Sequence, residues 1–400
     1  MLKRYYKLTL VQTSPLHLSN GDSRDTDSDL MKDSRGLPFI PGTGLTGALR
    51  DLLPEKEAKA LFGWIDGGNL QSSRVLVSDG VLPAKADPAK IHLVHRDGVG
   101  LDLFRGSALK TAKYDFEAVE TDLPYTSVLE WDGEESDPTL ELLDSLIAGV
   151  VANGLVLGGK STRGYGLMNV EAIRKDFAFP QDLNAWLTFS PYDESEGWTK
   201  VEGKATESGE KEYRLSFESL GAMSVRVYSS EIGKADFSPL MNHKGQPVIP
   251  GTSWAGTFRH RMLEIAGEAG CSDEEKAAVD ALFGKLDGDM RRSDISFSQS
   301  ELRGGNPYTL TRNALDRFTS GPALSALYTA GYWQGGEGDL VIRVRKKKFT
   351  PLLEQLLLAA IRDLDFGLMT VGGGASTGLG RIRITRLLED GKEREVGTNE

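Results

Sequence analysis

At 400 residues, 39% of them apolar and 26% charged, the chain is long for a single core and sized for two globular domains. Its net charge of −11 excludes a protein that coats nucleic acid with a uniformly basic surface, so any RNA or DNA contact must come from local basic patches. One cysteine, Cys271, excludes an internal disulfide framework and a multi-cysteine zinc site, and no apolar run approaches the ~18 residues of a membrane span, so we expect a cytoplasmic protein that touches no membrane.

In chain order, YYKLTL from Tyr5 alternates like a half-buried strand. A long loop follows, with Asp22, Asp25, Asp27, Asp29 and Asp33 in close succession. FIPGTGLTGALRDLL (39–53) predicts a helix opened by I-P-G-T. ALFGWIDGG (60–68) predicts a turn, and RVLVSDG a strand. A middle region (92–120) is basic at its centre, at Arg105, Lys110 and Lys113, with aromatic residues near its end. DPTLELLDSLIAGVVANG (137–154) has the apolar spacing of an amphipathic helix, and GGKSTRGYGLMNV (158–170) is a glycine loop entering a last strand. Residues 176–211 read as an acidic linker in which Trp186 and Trp198 have no evident role; acid-rich tracts of this kind predict solvated, mobile chain.

The same order then returns. EYRLSF from Glu212 repeats the first strand, VIPGTSWAGTFRHRML (248–263) the first helix, and ALFGKLDGD (281–289) the turn, with DISFSQS behind it. A second middle region (308–333) carries Arg312 and Arg317. PLLEQLLLAAIRDLDFG (351–367) repeats the amphipathic helix, and GGGASTGLGRIRI (372–384) the glycine loop. Each copy is compatible with a β-α-β-β-α-β unit, so we expect an α+β protein of two tandem ferredoxin-like domains, 1–175 and 212–400.

The repeat also disposes of a tempting motif. From Gly154, GLVLGGKS fits G-x-x-x-x-G-K-[ST], with Lys160 and Ser161 in the phosphate-lysine and magnesium-hydroxyl positions of an NTPase. The second copy has Gly374 and Ala375 there, so only the glycine spacing is shared. Two further glycines stand where a phosphate-binding helix would begin.

The loop SPLHLSNGDSRDTDSDLMKDSRGLPFIPGTGLTGALR, the LFG turns, SSEIGKADFSPLMNHKGQPVIPGTSWAGTFR and the two glycine loops together resemble the RAMP superfamily of CRISPR effector proteins, specifically the Cas seven-like backbone subunits of type III complexes. Two units in one polypeptide look like the tandem, fused form of type III-D systems. The resemblance implies an RRM-like palm in each unit and a middle insertion forming a thumb, with Arg105, Lys110, Lys113, Arg312 and Arg317 as thumb residues. It implies a guide RNA along the palms, a target RNA paired to the guide, and neighbouring effector subunits, among them a Cas ten-like large subunit and other backbone and small subunits.

In catalytic relatives one aspartate lies in the loop before the I-P-G helix, which points to Asp27 and Asp236 here. Asp25 and Asp29 remain alternatives to Asp27, and Asn242 and His243 depart from the family pattern. The implied chemistry is attack by the target's own 2′-OH on the adjacent phosphate, with the carboxylate orienting or deprotonating that hydroxyl or sharing a divalent ion, Mg2+, with phosphate oxygens. For RNA binding we expect the helix N-termini with Thr43 and Thr252 as caps, Arg50 and Arg259 beyond them, Gly158, Gly159, Gly372 and Gly373 in the glycine loops, and Lys160 and Arg163. His92, His95 and His243 read as surface or hydrogen-bonding residues. Two other readings stay open: a RAMP scaffold that binds guide RNA and cuts nothing, and a guide-processing endonuclease, although neither repeat offers paired histidines at equivalent positions.

Overall fold

The computed structural model describes residues 1–19, 21, 26–101, 108–193, 197–205, 209–228, 235–284, 291–323 and 327–396. The chain divides into two compact units, Met1–Ser161 with Tyr165–Glu207, and Thr162–Gly164 with Ser208–Glu400.

The first unit runs β1 (Leu2–Gln12), α1 (Gly42–Asp51), α2 (Glu55–Phe62), β2 (Val75–Val77), an inserted hairpin β3 (Leu93–Leu101) and β4 (Ala108–Val119), β5 (Pro124–Gly133), α3 (Pro138–Asn153) and β6 (Leu167–Ala178). Its sheet has β6-β1-β5-β2 in order, with the two-residue strands Thr199–Lys200 and Leu155–Val156 also pairing to β6, and every pairing is antiparallel. That is the strand order of the split β-α-β fold, each helix crossing over one strand to reach the next. Alternation along β1 sends Tyr6, Leu8 and Leu10 to the helix-covered face, where they meet Leu45 and Leu49 of α1 and Leu143 and Ile147 of α3. The helix α3 starts where the sequence predicts: Asp137 caps it by accepting from Thr139 N, Pro138 takes the first turn, and Gly154 at φ 76° ends it.

The opposite face of this sheet overturns one expectation. The acidic tract does not remain solvated chain. Residues 176–178 complete β6, the short helix α4 (Leu183–Leu187) follows, and Phe179, Trp186, Phe189 and Trp198 pack over Tyr5, Val128 and Phe177. Trp186 Nε1 donates to the Tyr5 hydroxyl at 2.9 Å. A sheet with helices on one side only must cover its other side or make it polar; here a segment with four aromatic rings covers it.

The second unit repeats the topology with β7 (Glu210–Ser219), two short strands β8 (Arg226–Tyr228) and β9 (Phe237–Pro239), α5 (Gly251–Glu268), α6 (Asp273–Leu282), β10 (Ile295–Phe297), the insertion strands β11 (Asn306–Arg312) and β12 (Tyr328–Gln334), β13 (Glu337–Arg345), α7 (Pro351–Asp365), β14 (Ile382–Glu389) and β15 (Lys392–Arg394). The sheet order is β10-β13-β7-β14-β15, again antiparallel throughout. Tyr213, Leu215 and Phe217 of β7 point into a core with Trp254, Phe258 and Met262, which recur at helical spacing along α5. Its outward face takes the polar solution: Ser216 donates to Asp339 at 2.8 Å, Arg303 pairs with Asp339 and Arg343 with Glu212.

Candidate active site

In each unit the chain leaves the first strand, makes a long loop and returns to a helix, and the loop is stitched to the second strand of the insertion. In the first unit Leu16 and Val119 exchange backbone hydrogen bonds at 2.9 Å in both directions, and Glu117 N donates to Ser28 O at 3.1 Å. Asp27 sits at the end of this seam. Its N–H donates to the Asp115 carboxylate at 2.8 Å, and its own Oδ2 accepts from Asp115 N at 3.0 Å.

The second unit builds the same clasp. Asp236 N donates to Thr329 O at 2.8 Å, and Asp236 Oδ2 accepts from Thr329 N at 2.7 Å. Both aspartates are solvent-exposed, and both take an N–H from the returning insertion strand, β4 or β12.

The return limbs match residue for residue. Asp33 Oδ1 accepts from Arg35 N (2.8 Å) and Leu37 N (3.0 Å); Asn242 Oδ1 accepts from Lys244 N (3.0 Å) and Gln246 N (2.9 Å). Gly36 at φ 76° and Gly245 at φ 73° close the two turns. Asn242 therefore departs from the pattern in letter only, since an amide oxygen accepts the same two N–H groups. Desolvation works the other way, but the Leu37 N–H, the Arg35 side chain and the Arg35 N–H together hold the Asp33 carboxyl below the usual range.

This ungapped register makes Asp27 the counterpart of Asp236. Asp29 is buried, with Oδ1 accepting from Thr26 N at 2.9 Å and Thr26 Oγ1 at 2.8 Å, a local turn. Asp25 lies outside the described residues, as does Asp22.

The glycine loops press on the outgoing limbs. Gly159 N donates to His17 O and Gly373 N to Ser224 O, each at 2.9 Å. A Cβ on Gly158 would come within 2.5 Å of His17 O, and one on Gly372 within 2.7 Å of Ser224 O, so glycine is required at both positions.

Around this frame the two units differ. In the first, Lys160 (φ 59°) lays its ammonium 4.4 Å from the Tyr114 ring centroid and 4.1 Å from that of Phe116, and burial lowers its pKa. His17 is buried. Its Nδ1 stands 2.7 Å from Glu117 O, which can only accept, so Nδ1 carries the proton and Nε2 faces Ser28 Oγ at 3.3 Å. Burial, and secondarily Lys160, lower the imidazole pKa against the opposing pull of the Glu117 carbonyl.

In the second unit Ser224 replaces His17, and Arg226 lies 5.3 Å from the Phe237 ring. A Cβ on Gly373 would meet Arg226 Nε at 2.8 Å. Tyr228, 76% exposed, leans on Phe237 at 4.7 Å. Tyr328 occupies the place of Tyr114, one residue before the clasp.

The remaining predicted residues have varied surroundings. Thr43 and Thr252 are not caps: the caps are Pro41 and Pro250, without side-chain cap bonds, and each threonine is the second helical residue, exposed. Proline supplies the extended entry angle itself, and at α1 the Asp79 carboxylate accepts Gly42 N at 2.7 Å. Arg50 donates to Gly63 O at 2.7 Å, Arg259 to Asp280 at 3.0 Å and Arg163 to Phe283 O at 3.2 Å, so all three guanidiniums are held by protein acceptors.

In the insertions Lys113 pairs with Asp97 at 3.1 Å, Arg312 ends β11 and Arg317 is exposed. Arg105 and the Lys110 side chain lie outside the described residues. Sequence reasoning missed His17, Tyr114, Arg226, Tyr228 and Tyr328. His17 lies inside the quoted LHLSN stretch and Tyr114 and Tyr328 near the ends of the middle regions, whereas Arg226 and Tyr228 stand on β8, which has no matching letters in the first copy.

Among the described residues no group of three or more His, Cys, Asp or Glu could hold a metal ion. Among the described residues Asp27 has Asp115 beside it and Asp236 has Thr329, too few ligands for a resident magnesium site.

Fold and site together define a tandem ferredoxin-like protein with one exposed aspartate clasped in each unit. The family model described as the RAMP superfamily matches residues 9–169 and 229–383, and the chain belongs to that superfamily. A solved chain from "Type III-B Cmr-beta Cryo-EM structure of the Apo state" is similar at 13% identity over 42% of this chain and 96% of that one, with a TM-score of 0.34. No curated protein matches it. Among the described residues no helix is long and apolar enough to cross a membrane.

Proposed function

We propose that the chain is a double backbone subunit of a cytoplasmic type III CRISPR effector complex, binding guide RNA and cutting complementary target RNA at two positions, one per unit. The observation that carries this reading is the duplicated clasp: two exposed aspartates in one register, each held by an N–H of the insertion strand. The strand N–H needs only an acceptor oxygen there, which an amide would supply as Asn242 does in place of Asp33, so a scaffold role does not call for a carboxylate in both copies.

In the proposed step the target's 2′-OH attacks its own adjacent phosphate. The 2′-O–P bond forms, the P–O5′ bond breaks, and the products are a cyclic phosphate and a 5′-OH that takes its proton from water. With Oδ2 fixed by the strand N–H, Oδ1 of Asp27 or Asp236 receives the 2′-OH proton. No step is routed through a metal. Magnesium at this site would draw most of its ligands from water and phosphate oxygens. The guide RNA, the target RNA and the neighbouring effector subunits, including a Cas ten-like large subunit, belong to this proposal as partners.

The test is the double variant Asp27→Ala, Asp236→Ala in the assembled complex. Guide binding should match wild type, and target cutting should fall by about a hundred- to ten-thousandfold at both positions. Undiminished cutting would reduce the chain to a scaffold. A parallel EDTA arm decides whether the cutting uses a divalent ion.

A further inference from the structure

Two features of the site do not follow from the repeat. The first unit carries Lys160 where the second has Gly374, and the second carries Arg226 where the first has Ser19. The latter equivalence is geometric. Gly159 N donates to His17 O and Gly373 N to Ser224 O, and Ser19 and Arg226 each stand two residues further on. Ser19 pairs with Leu30 and Arg226 with Pro239, each three residues after the aspartate.

Each cation lies beside the aspartate clasp of its own unit. Lys160 lies over Tyr114 and Phe116, the residues flanking Asp115, whose N–H holds Asp27. Arg226 lies over Phe237, the residue after Asp236, and against Gly373, the counterpart of Gly159. In the first unit the place of the Arg226–Phe237 contact is taken by Ser19 and Ser28, whose hydroxyls bond at 2.8 Å.

Neither cation makes an ion pair among the described residues, unlike Arg4 with Asp144 and Asp176, or Lys211 with Glu354 and Glu389. A cation on aromatic faces, without a carboxylate of its own and beside an exposed aspartate, suits a ligand with a charged phosphate and a planar base.

We propose that Lys160 and Arg226 are equivalent phosphate-binding residues, contacting the phosphodiester at the first and second aspartate sites from two different segments, the glycine loop and the start of β8. This rests on the RNA-cutting reading above. The duplicated sites thus keep the position of the positive charge while its source in the chain has changed.

The experiment follows both cuts separately in the assembled complex, on a labelled target RNA complementary to the loaded guide, at saturating and limiting target. Lys160→Gly suits the positive φ at that residue. It should slow the cut that Asp27→Ala abolishes by about ten- to hundredfold at saturation and leave the other cut unchanged. Arg226→Ser should do the reverse, and Lys160→Arg should stay near wild type.

The decisive variant is Lys160→Gly with Ser19→Arg, which moves the charge to the second unit's position; Ser19 is exposed and offers room. It should recover most of the lost rate, a result that a merely structural role for Lys160 would not give. If both cuts persist within about twofold in Lys160→Gly and Arg226→Ser while the aspartate variants abolish them, the cation assignment is wrong and the cutting reading stands. Loss of both cuts together without rescue by Ser19→Arg also overturns it. If the aspartate variants themselves cut normally, the underlying reading has failed instead.

Discussion

Asn242 shows how a residue can depart from a pattern and keep its physics. Its amide oxygen accepts the N–H groups of Lys244 and Gln246, as the Asp33 carboxylate accepts those of Arg35 and Leu37. What the turn needs is a short side chain with an oxygen, not a charge. Asn242→Asp should therefore shift the stability of the second unit by no more than about 1 kcal/mol, with Lys244 in the place of Arg35 to offset the new charge. Asn242→Ala should cost about 1–2 kcal/mol, because the N–H groups of Lys244 and Gln246 both lose their acceptor. Urea unfolding of the purified chain checks both; equal losses would mean the turn depends on the amide NH₂ that Asn242 donates to Gln246.

At this scale the sequence was informative where one letter stood alone. Asp236 is the only acid between Glu231 and the I-P-G helix, so its position could be read directly. Asp27 sits among Asp22, Asp25, Asp29 and Asp33, and only the backbone register separates it from them. Arg226 was illegible because the charge equivalent to Lys160 comes from a different segment, the start of β8, and an alignment of letters pairs Lys160 with a glycine.

Among the elements, the segment after β6 departs most from its composition. Acid content predicted solvated chain, yet Phe179, Trp186, Phe189 and Trp198 close the open face of the first sheet over Tyr5, Val128 and Phe177. Phe179, Trp186 and Phe189 stand seven and three residues apart, but the helix there is only five residues long and Trp198 lies nine further on, so no sustained period reveals the buried side. Helices α3 and α7, by contrast, were plain: each has a capping Asp or Thr, a proline in the first turn and apolar residues at helical spacing.

Trp186→Ala removes a half-buried ring and the bond to Tyr5 and should destabilise the first unit by about 2–3 kcal/mol. Limited proteolysis should then cut within 179–205 before it cuts the sheet. Unchanged protection would mean that the other three rings suffice to hold the segment.

For the whole molecule, the repeat was the strongest signal in the sequence, and both sheets carry the strand order it implied. Copies that differ at most positions share what backbone geometry demands: the clasp, the Asx-type turn closed by glycine, and the glycine loop against the outgoing limb. They differ in side chains packed around that frame, as at buried His17 against buried Ser224. The first sheet buries its outer face under aromatic rings, and the second presents Arg303, Asp339 and Arg343 there. This pattern fits one architecture used twice, with the exposed aspartate among the few outward features retained.

The most direct test of that claim is to map the cuts made by the assembled complex on one end-labelled target RNA, comparing wild type with Asp27→Ala and Asp236→Ala singly. One carboxylate per unit predicts that each variant loses its own distinct band and keeps the other. The same bands in all three proteins, or loss of every band in either single variant, would contradict it.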